Sequence, residues 1–305
     1  MKAFACDRHT ILLPPGHRFP MEKYRLLREA VIENGLLSAV EIMVPEPATD
    51  EQILRAHHRS YLTKVAEGRL SEREVRRLGF PWSCELVQRA RCSVGGTIAA
   101  CRAALEDGVG VNLAGGTHHA FPDHGQGYCL FNDVVIAIRE MQAAGQVHRA
   151  VVLDGDVHQG NGTAAMVTDD PTIFTFSLHG AHNFPLRKER SDLDIGLADG
   201  AGDDVFLAAW RRGMDQALAS SGPDLAIFLA GADPFWDDRL GRLAVTIDGL
   251  AERDELVFQR CGEDGIPVAV AMGGGYARDV RDTVRIHLQT VTIAAAASAR
   301  LSARQ

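Results

Sequence analysis

Two stretches of this 305-residue chain carry side chains able to do chemistry at close spacing. In LDGDVHQGNGT (153–163), Asp154, Asp156 and His158 alternate with other residues. Residues i and i+2 of an extended chain point to the same side, so Asp156 and His158 can hold one cation together. Asp233, in LAGADPFWDD, follows an almost wholly apolar run, and burying an unpaired carboxylate there costs several kcal/mol. Two Asp and one His would give a divalent ion a near-neutral shell with a coordination position left open, as in catalytic zinc sites; Fe2+ suits the same donors. The plainer readings are an N-cap for Asp156 and a turn before Pro234 for Asp233. The second stretch, NLAGGTHHAFPDHGQGYC (112–129), sets His118 beside His119 just after Gly115 and Gly116. Neighbours on a regular element point different ways, so the pair implies irregular backbone bent around a working site. GGGY (273–276) offers a third group, in which Gly273, Gly274 and Gly275 permit close backbone approach to Tyr276.

Elements must bring these groups together. Strand-like apolar runs occupy 108–115, 150–156, 172–179, 225–233 and 267–275. They are apolar on both parities, as expected of strands covered on both faces. Helical patterns fit 20–34, 51–66, 83–106, 131–145, 160–168, 203–221, 245–264 and 276–297, with Thr49 or Asp50 capping the second. Strand–helix alternation predicts one α/β domain over residues 1–305, a mainly parallel sheet flanked by helices. Each strand ends in a polar cluster: GGTHH, DGDVH, SLHG, AGAD and GGGY. Ligands of such sheets sit beyond the carboxyl ends of the strands, so the five clusters are expected to converge. The adjacent His57 and His58 fall inside a helical pattern and read as one buried and one wet residue; His9 and His17 carry no ligand signal either.

In order and spacing, GGTHHA, GYCLFND, LDGDVHQGNGT, FSLHG, AGAD and GGGY resemble the histone deacetylase family, within the three-layer arginase/deacetylase fold. HQGNG, FPMEKY and FPWSCELVQR are similar to its class IV branch and bacterial relatives. The resemblance implies Asp156, His158 and Asp233 as zinc ligands, His118 and His119 as the catalytic pair, and Tyr276 as donor to the substrate carbonyl. It implies Asp154 as the acid behind His118, and a K+ site from Asp154, Asp156, His158, Ser177 and Leu178. It places Gly127, Tyr128, Phe184 and Gly274 along an acyl-lysine channel. Two departures stand out. Asn161 replaces an acid behind His119, so His119 should stay neutral to lower pH. Tyr128 stands where many relatives carry Phe.

The implied chemistry is amide hydrolysis of an acyl-lysine, in a peptide or protein or as a small acylated amine such as an acetylpolyamine, with His119 as general base. Two rivals are an arginase-like two-manganese hydrolase, for which Asn161, Ala232 and Phe235 stand where acids would help, and a silent binding module, which would have lost a ligand, a His or the Tyr. A net charge of −8 argues against a nucleic-acid partner. The opening MKAFACDRHTILLPPGH has too short an apolar run for a signal peptide and no 18-residue apolar span occurs. Cys6, Cys84, Cys92, Cys101, Cys129 and Cys261 form no C-x-x-C pair and read as reduced thiols. A cytoplasmic enzyme is expected; oligomeric state is not legible.

Overall fold

The computed structural model describes residues 1–302. Its elements are, in order, β1 Lys2–Phe4, α1 Lys23–Glu33, β2 Ile42–Met43, α2 Asp50–Ile53, α3 Arg59–Ala66, α4 Glu72–Leu78, α5 Cys84–Asp107, β3 Val109–Asn112, α6 Asp133–Ala143 and β4 Ala150–Asp154. There follow α7 Asn161–Met166, β5 Ile173–Gly180, β6 Leu193–Leu197, α8 Asp203–Ser221, β7 Leu225–Leu229, α9 Ile247–Asp264, β8 Val268–Ala271 and α10 Val280–Ser302. One eight-stranded sheet runs in the order β2-β1-β3-β8-β7-β4-β5-β6, and every strand pair is parallel.

The strand runs are apolar on both parities because both faces are covered. On β4, Val151 and Leu153 join the core under α1, α8, α9 and α10. Ala150 and Val152 join the core under α5 and α6. This is a three-layer α/β domain, as expected. The layers approach closely where side chains are missing. An ideal Cβ on Gly110 of β3 would lie 2.1 Å from the Ala100 carbonyl of α5, and one on Gly95 of α5 would lie 1.8 Å from the Glu46 carbonyl.

Two departures from the sequence reading concern the first hundred residues and the edges. The helix expected over 51–66 is two helices: Thr49 caps α2 with a capping box to Gln52, and a new start at His58 opens α3. A tertiary contact breaks the pattern. The His58 N–H donates to the Pro122 carbonyl at 2.8 Å, and the buried His57 turns inward so that its Nε2 accepts from the Asn132 N–H at 2.9 Å. One His is buried and the other exposed, as read, but at a break rather than along a helix. The strands β1, β2 and β6 went unread; the first two span 3 and 2 residues, and β6 alternates polar and apolar at the sheet edge. The six cysteines form no disulfide. No helix among the described residues is long and apolar enough to cross a membrane.

Because the Ala100 carbonyl is backbone and cannot swing aside, Gly110→Val should destabilise by about 2–3 kcal/mol through overpacking. Chemical denaturation monitored by circular dichroism would measure it, and an unchanged midpoint would contradict the packing described.

Candidate active site

Five adjacent strands, β3, β8, β7, β4 and β5, deliver the polar clusters to one place. Pairing of β4 with β7 sets Asp154 opposite Leu229, so the turns that follow carry Asp156, His158 and Asp233 side by side. One ligand atom from each of these three lies within 4.8 Å of the others, all buried. His158 Nδ1 is 2.9 Å from Asp156 Oδ1 and 3.2 Å from Asp233 Oδ2. The remaining carboxylate oxygens are tied to backbone: Asp156 Oδ2 accepts from the Gly274 N–H at 2.7 Å, and Asp233 Oδ1 from the Val157 N–H at 2.9 Å.

Asp233 Oδ2 is different, being buried and accepting no hydrogen bond. Burial and the Asp156 charge push the Asp233 carboxyl up to about 7, while burial is outweighed by both carboxylates in raising His158 to about 10. Two buried carboxylates this close hold a proton between them at neutral pH, and a dication can take that proton's place. Space for one is kept open by Gly274, whose ideal Cβ would fall 1.9 Å from Asp233 Oδ2 and 2.6 Å from Asp156 Oδ2. An orphaned oxygen, an open cradle and an Asp/His/Asp donor set fit a divalent metal such as Zn2+ or Fe2+. Among the described residues no other group of three His, Cys, Asp or Glu converges this way.

The tandem histidines sit beside this cluster. Gly115 and Gly116 take φ of 83° and 72°, a left-handed turn that side chains disfavour, and a Cβ on Gly116 would strike the Gly273 backbone at 2.5 Å. The two glycine loops therefore touch, carrying the histidines towards Tyr276. The bend lets both imidazoles face the same way, with ring centroids 4.1 Å apart. His118 Nδ1 is 2.7 Å from Asp154 Oδ2, and His119 Nδ1 is 2.7 Å from Asn161 Oδ1. The two rings sit in opposite charge states. For His118, burial opposes protonation but Asp154 and Asp156 prevail and push it up to about 9. For His119, burial and the neighbouring His118 and His158 hold the ring well below the ordinary imidazole value; Asn161 offers only a neutral dipole against them. Asn161 is itself oriented by donating Nδ2–H to Gln126 Oε1 at 2.9 Å.

A cavity of about 470 Å3 opens above, lined among others by Gly127, Tyr128, Phe184, His119, His158 and Tyr276. His118 does not line it. Phe184 stands edge-on to His119 at 4.9 Å. Tyr128, in an unusual positive φ of 67°, packs against Phe80 at 5.1 Å and Phe19 at 5.2 Å. Gly274 lies against the two carboxylates and is not among the residues lining this cavity. Ser177 is the register partner of Asp154; its hydroxyl pairs with His179 Nδ1 at 2.9 Å. Leu178 is buried next to it. A second cavity, about 480 Å3 at the amino ends of β3 and β8, contains no histidine or cysteine.

Several positioning residues escaped the sequence reading. Asp238 accepts the Tyr276 N–H at 2.6 Å and the Leu240 and Gly241 N–H groups at 2.7 and 2.9 Å. Arg239 holds the Tyr276 and Ala277 carbonyls from the other side. Lys23 is buried, with Nζ 3.4 Å from the Gly273 and Gly275 carbonyls and 5.3 Å from the Tyr276 ring centre. Asp133 gathers the Gly116 and Thr117 N–H groups at 3.0 and 2.7 Å, pinning the histidine loop. Arg253 of α9, wholly buried, donates to the Gly155 and Gly231 carbonyls at 3.1 and 2.7 Å, one in each metal-ligand turn. The tandem acids of DPFWDDRLG were the one signal for Asp238.

The model of the Histone deacetylase domain matches residues 17–291. The chain belongs to the histone deacetylase family. It is 44% identical over 275 residues to an uncharacterized protein of Picosynechococcus sp., covering 90% of this chain and 92% of that one. It is 30% identical to a "Histone deacetylase-like amidohydrolase" of Pseudomonas aeruginosa, over 90% of this chain and 78% of the relative. To Histone deacetylase 2 of Arabidopsis thaliana it is 29% identical, over 88% of this chain and 73% of the relative. Among solved structures, an HDAC homolog complexed with SAHA superposes with a TM-score of 0.86 at 22% identity, over 97% of this chain and 84% of that one. That likeness shows the shared fold. This member of the family is thus a hydrolase by descent, with an Asp/His/Asp cluster suited to a metal.

The raised Asp233 carboxyl gives a test independent of activity. Unfolding frees Asp233 to ionise at its usual value, so chelator-treated protein should lose stability as pH rises from about 4 through about 7. Asp233→Asn removes that penalty, so its Tm should exceed the parent's by a few degrees at pH 8 and by less at pH 5, while added Zn2+ no longer raises it. A Zn2+ shift that survives the substitution would contradict the ligand set.

Proposed function

We propose that this chain is a metal-dependent lysine deacylase, hydrolysing the amide of Nε-acyl-lysine with acetyl or longer acyl groups. The observation that carries the reading is one cavity in which His119, His158 and Tyr276 face the same space between the walls of Gly127, Tyr128 and Phe184. A Zn2+ or Fe2+ held by Asp156, His158 and Asp233 would supply Lewis acidity, polarising the acyl carbonyl and acidifying a water.

The chain's own residues do the rest. His119 is the imidazole of the tandem pair that reaches the cavity, and burial keeps it neutral. Its Nε2 therefore accepts the proton of the attacking water, and Nδ1 stays fixed on Asn161. Once protonated, the same ring hands the proton to the departing lysine amine. His118, held cationic by Asp154 behind the cavity wall, supports the negative charge that develops as the amide carbonyl turns tetrahedral. Tyr276 gives a hydroxyl donor to that oxygen; burial and the Asp233 and Asp156 charges hold its pKa well above the ordinary value, so it keeps its proton at any working pH. Asp238 and Arg239 fix the Tyr276 backbone from both sides. The flat walls leave room for an extended aliphatic stem and exclude bulk water from the reacting bond.

K+ is proposed beside the metal site, among Asp154, Asp156, His158, Ser177 and Leu178, supported by the pairing of β4 with β5 that sets Ser177 next to Asp154. A cytoplasmic setting is proposed on the six free thiols. The amide-hydrolase chemistry agrees with the name of the Pseudomonas relative, an amidohydrolase.

A panel of acyl-lysine peptides from acetyl to myristoyl, offered to chelator-stripped protein reloaded with Zn2+ or Fe2+, tests the reading; no cleavage of any peptide under either ion would end it. Tyr276→Phe should keep its metal and lose about 10²–10³-fold in kcat, the usual cost of one oxyanion donor. Asn161→Asp places a carboxylate on His119 and raises its pKa. The acid limb of the kcat/KM–pH profile should then move to higher pH, and an unmoved limb would show that His119 is not the titrating base.

A further inference from the structure

We infer that the mouth of the cavity selects acyl-lysine within an acidic peptide segment and rejects acylated polyamines. This rests on the deacylase reading above and names the substrate class it serves.

The argument begins with the helix that forms one lip. Ser71 and Glu74 close a capping box on α4, and Gly79 ends it in a left-handed turn with φ of 82°. The free carbonyls at that end accept from the channel wall: Arg77 from the Gly127 N–H at 3.2 Å, and Leu78 from the Tyr128 N–H at 2.7 Å. The Gly79 carbonyl lies 2.9 Å from His17 Nε2. The lip and the wall are thus one rigid piece. Its last turn carries Arg76 and Arg77, and both line the cavity. No Asp or Glu lines it. Arg18 adds a third positive charge close enough to oppose, through its field, the burial that raises the Tyr128 hydroxyl pKa.

The nearby acids do not cancel this charge. Glu72 lies 3.3 Å from Arg76, but the two side chains are 92% and 72% exposed, and such pairs contribute little in water. Arg77 forms no ion pair among the described residues. Glu74 and Asp123 line a neighbouring depression that Arg77 also borders, and neither lines the cavity itself. There Glu74 is taken by Lys64 and Ser71, and Asp123 by His124. The mouth is therefore locally cationic on a chain whose formal net charge is −8. A sign reversal confined to the entrance of a site acts on whatever flanks the inserted side chain. With the acyl-lysine stem in the channel, the residues on either side of that lysine lie against the lip. Carboxylates there meet two guanidiniums whose planar forks suit them. An acylated polyamine instead brings its remaining ammonium groups to the same place.

The test uses three acetyl-lysine peptides with Glu, Ala or Arg on both flanks, together with N-acetylspermidine, on metal-loaded enzyme. At ~20 mM ionic strength kcat/KM should favour the Glu peptide over the Arg peptide by about 3- to 20-fold, as two exposed ion pairs allow, and the preference should fade at ~0.5 M salt. N-acetylspermidine should be turned over more slowly than the Ala peptide. The double variant Arg76→Glu, Arg77→Glu should reverse the order of the Glu and Arg peptides. If its melting curve shows misfolding, Arg76→Glu alone on the exposed face, or Arg77→Gln, should each reduce the preference. Equal rates on all flanks, a preference for Arg, a preference that survives in the variants, or fastest turnover of the polyamine would overturn the inference. Failure to cleave any of these amides would instead count against the deacylase reading itself.

Discussion

Asp156 and Asp233 are at most 1% exposed and aim at a single imidazole nitrogen. Like charges so placed repel, and each costs several kcal/mol to desolvate. The surrounding structure is arranged to bear that load. Backbone N–H groups of Gly274 and Val157 each take one oxygen. Arg253 brings a guanidinium through the core to the carbonyls of Gly155 and Gly231, so the turns bearing both acids share one buried cation. The arginine in turn is held by Asp254, and Asp254 by Thr290 of α10. A chain of contacts thus runs from the outer helices to the carboxylates. It is why α9 and α10, far from the cavity mouth, belong to the site.

Topology does the gathering. The acids come from β4 and β7, adjacent in the sheet though Asp156 and Asp233 are 77 positions apart in sequence. The tyrosine comes from β8, on the other side of β7, and the histidine loop from β3 beyond it. Every one of these groups lies past the carboxyl end of its strand, where the chain leaves the sheet and its backbone is free to bend. Rigidity is restored by single buried acids, Asp133 under the histidine loop and Asp238 under the tyrosine. The two histidines differ in charge because a carboxylate backs His118, while His119, with only an amide behind it, yields to burial and its imidazole neighbours. Proximity alone gives a pair; the backing residues give it a division of labour.

Much of this was legible before any coordinates. Strands apolar on both parities could only be covered on both faces, and their polar ends pointed to one crevice. The spacing of Asp156 and His158 allowed a shared ion, and Asp233, at the end of a run too apolar for an idle acid, supplied the company that made it credible. What escaped was whatever depends on contacts between distant segments. The break at His57 and His58 exists because Pro122 and Asn132 capture them. Lys23 looks like a surface residue of an amphipathic helix, yet it is buried against the glycine loop. The family resemblance put Gly274 along the channel; what the sequence could not show is that its missing side chain leaves room where two carboxylates meet.

That last feature bears on how the scaffold can lose activity. Gly274 does not need a left-handed backbone, since its neighbours Gly273 and Gly275 supply the positive φ values of 66° and 153°. It is required for volume alone. One added methyl would occupy the space between the acids while leaving every histidine, aspartate and tyrosine of the signature in place. Descendants silenced in this way would keep every reactive side chain, and only the middle glycine of GGGY, two positions before the tyrosine, would betray them.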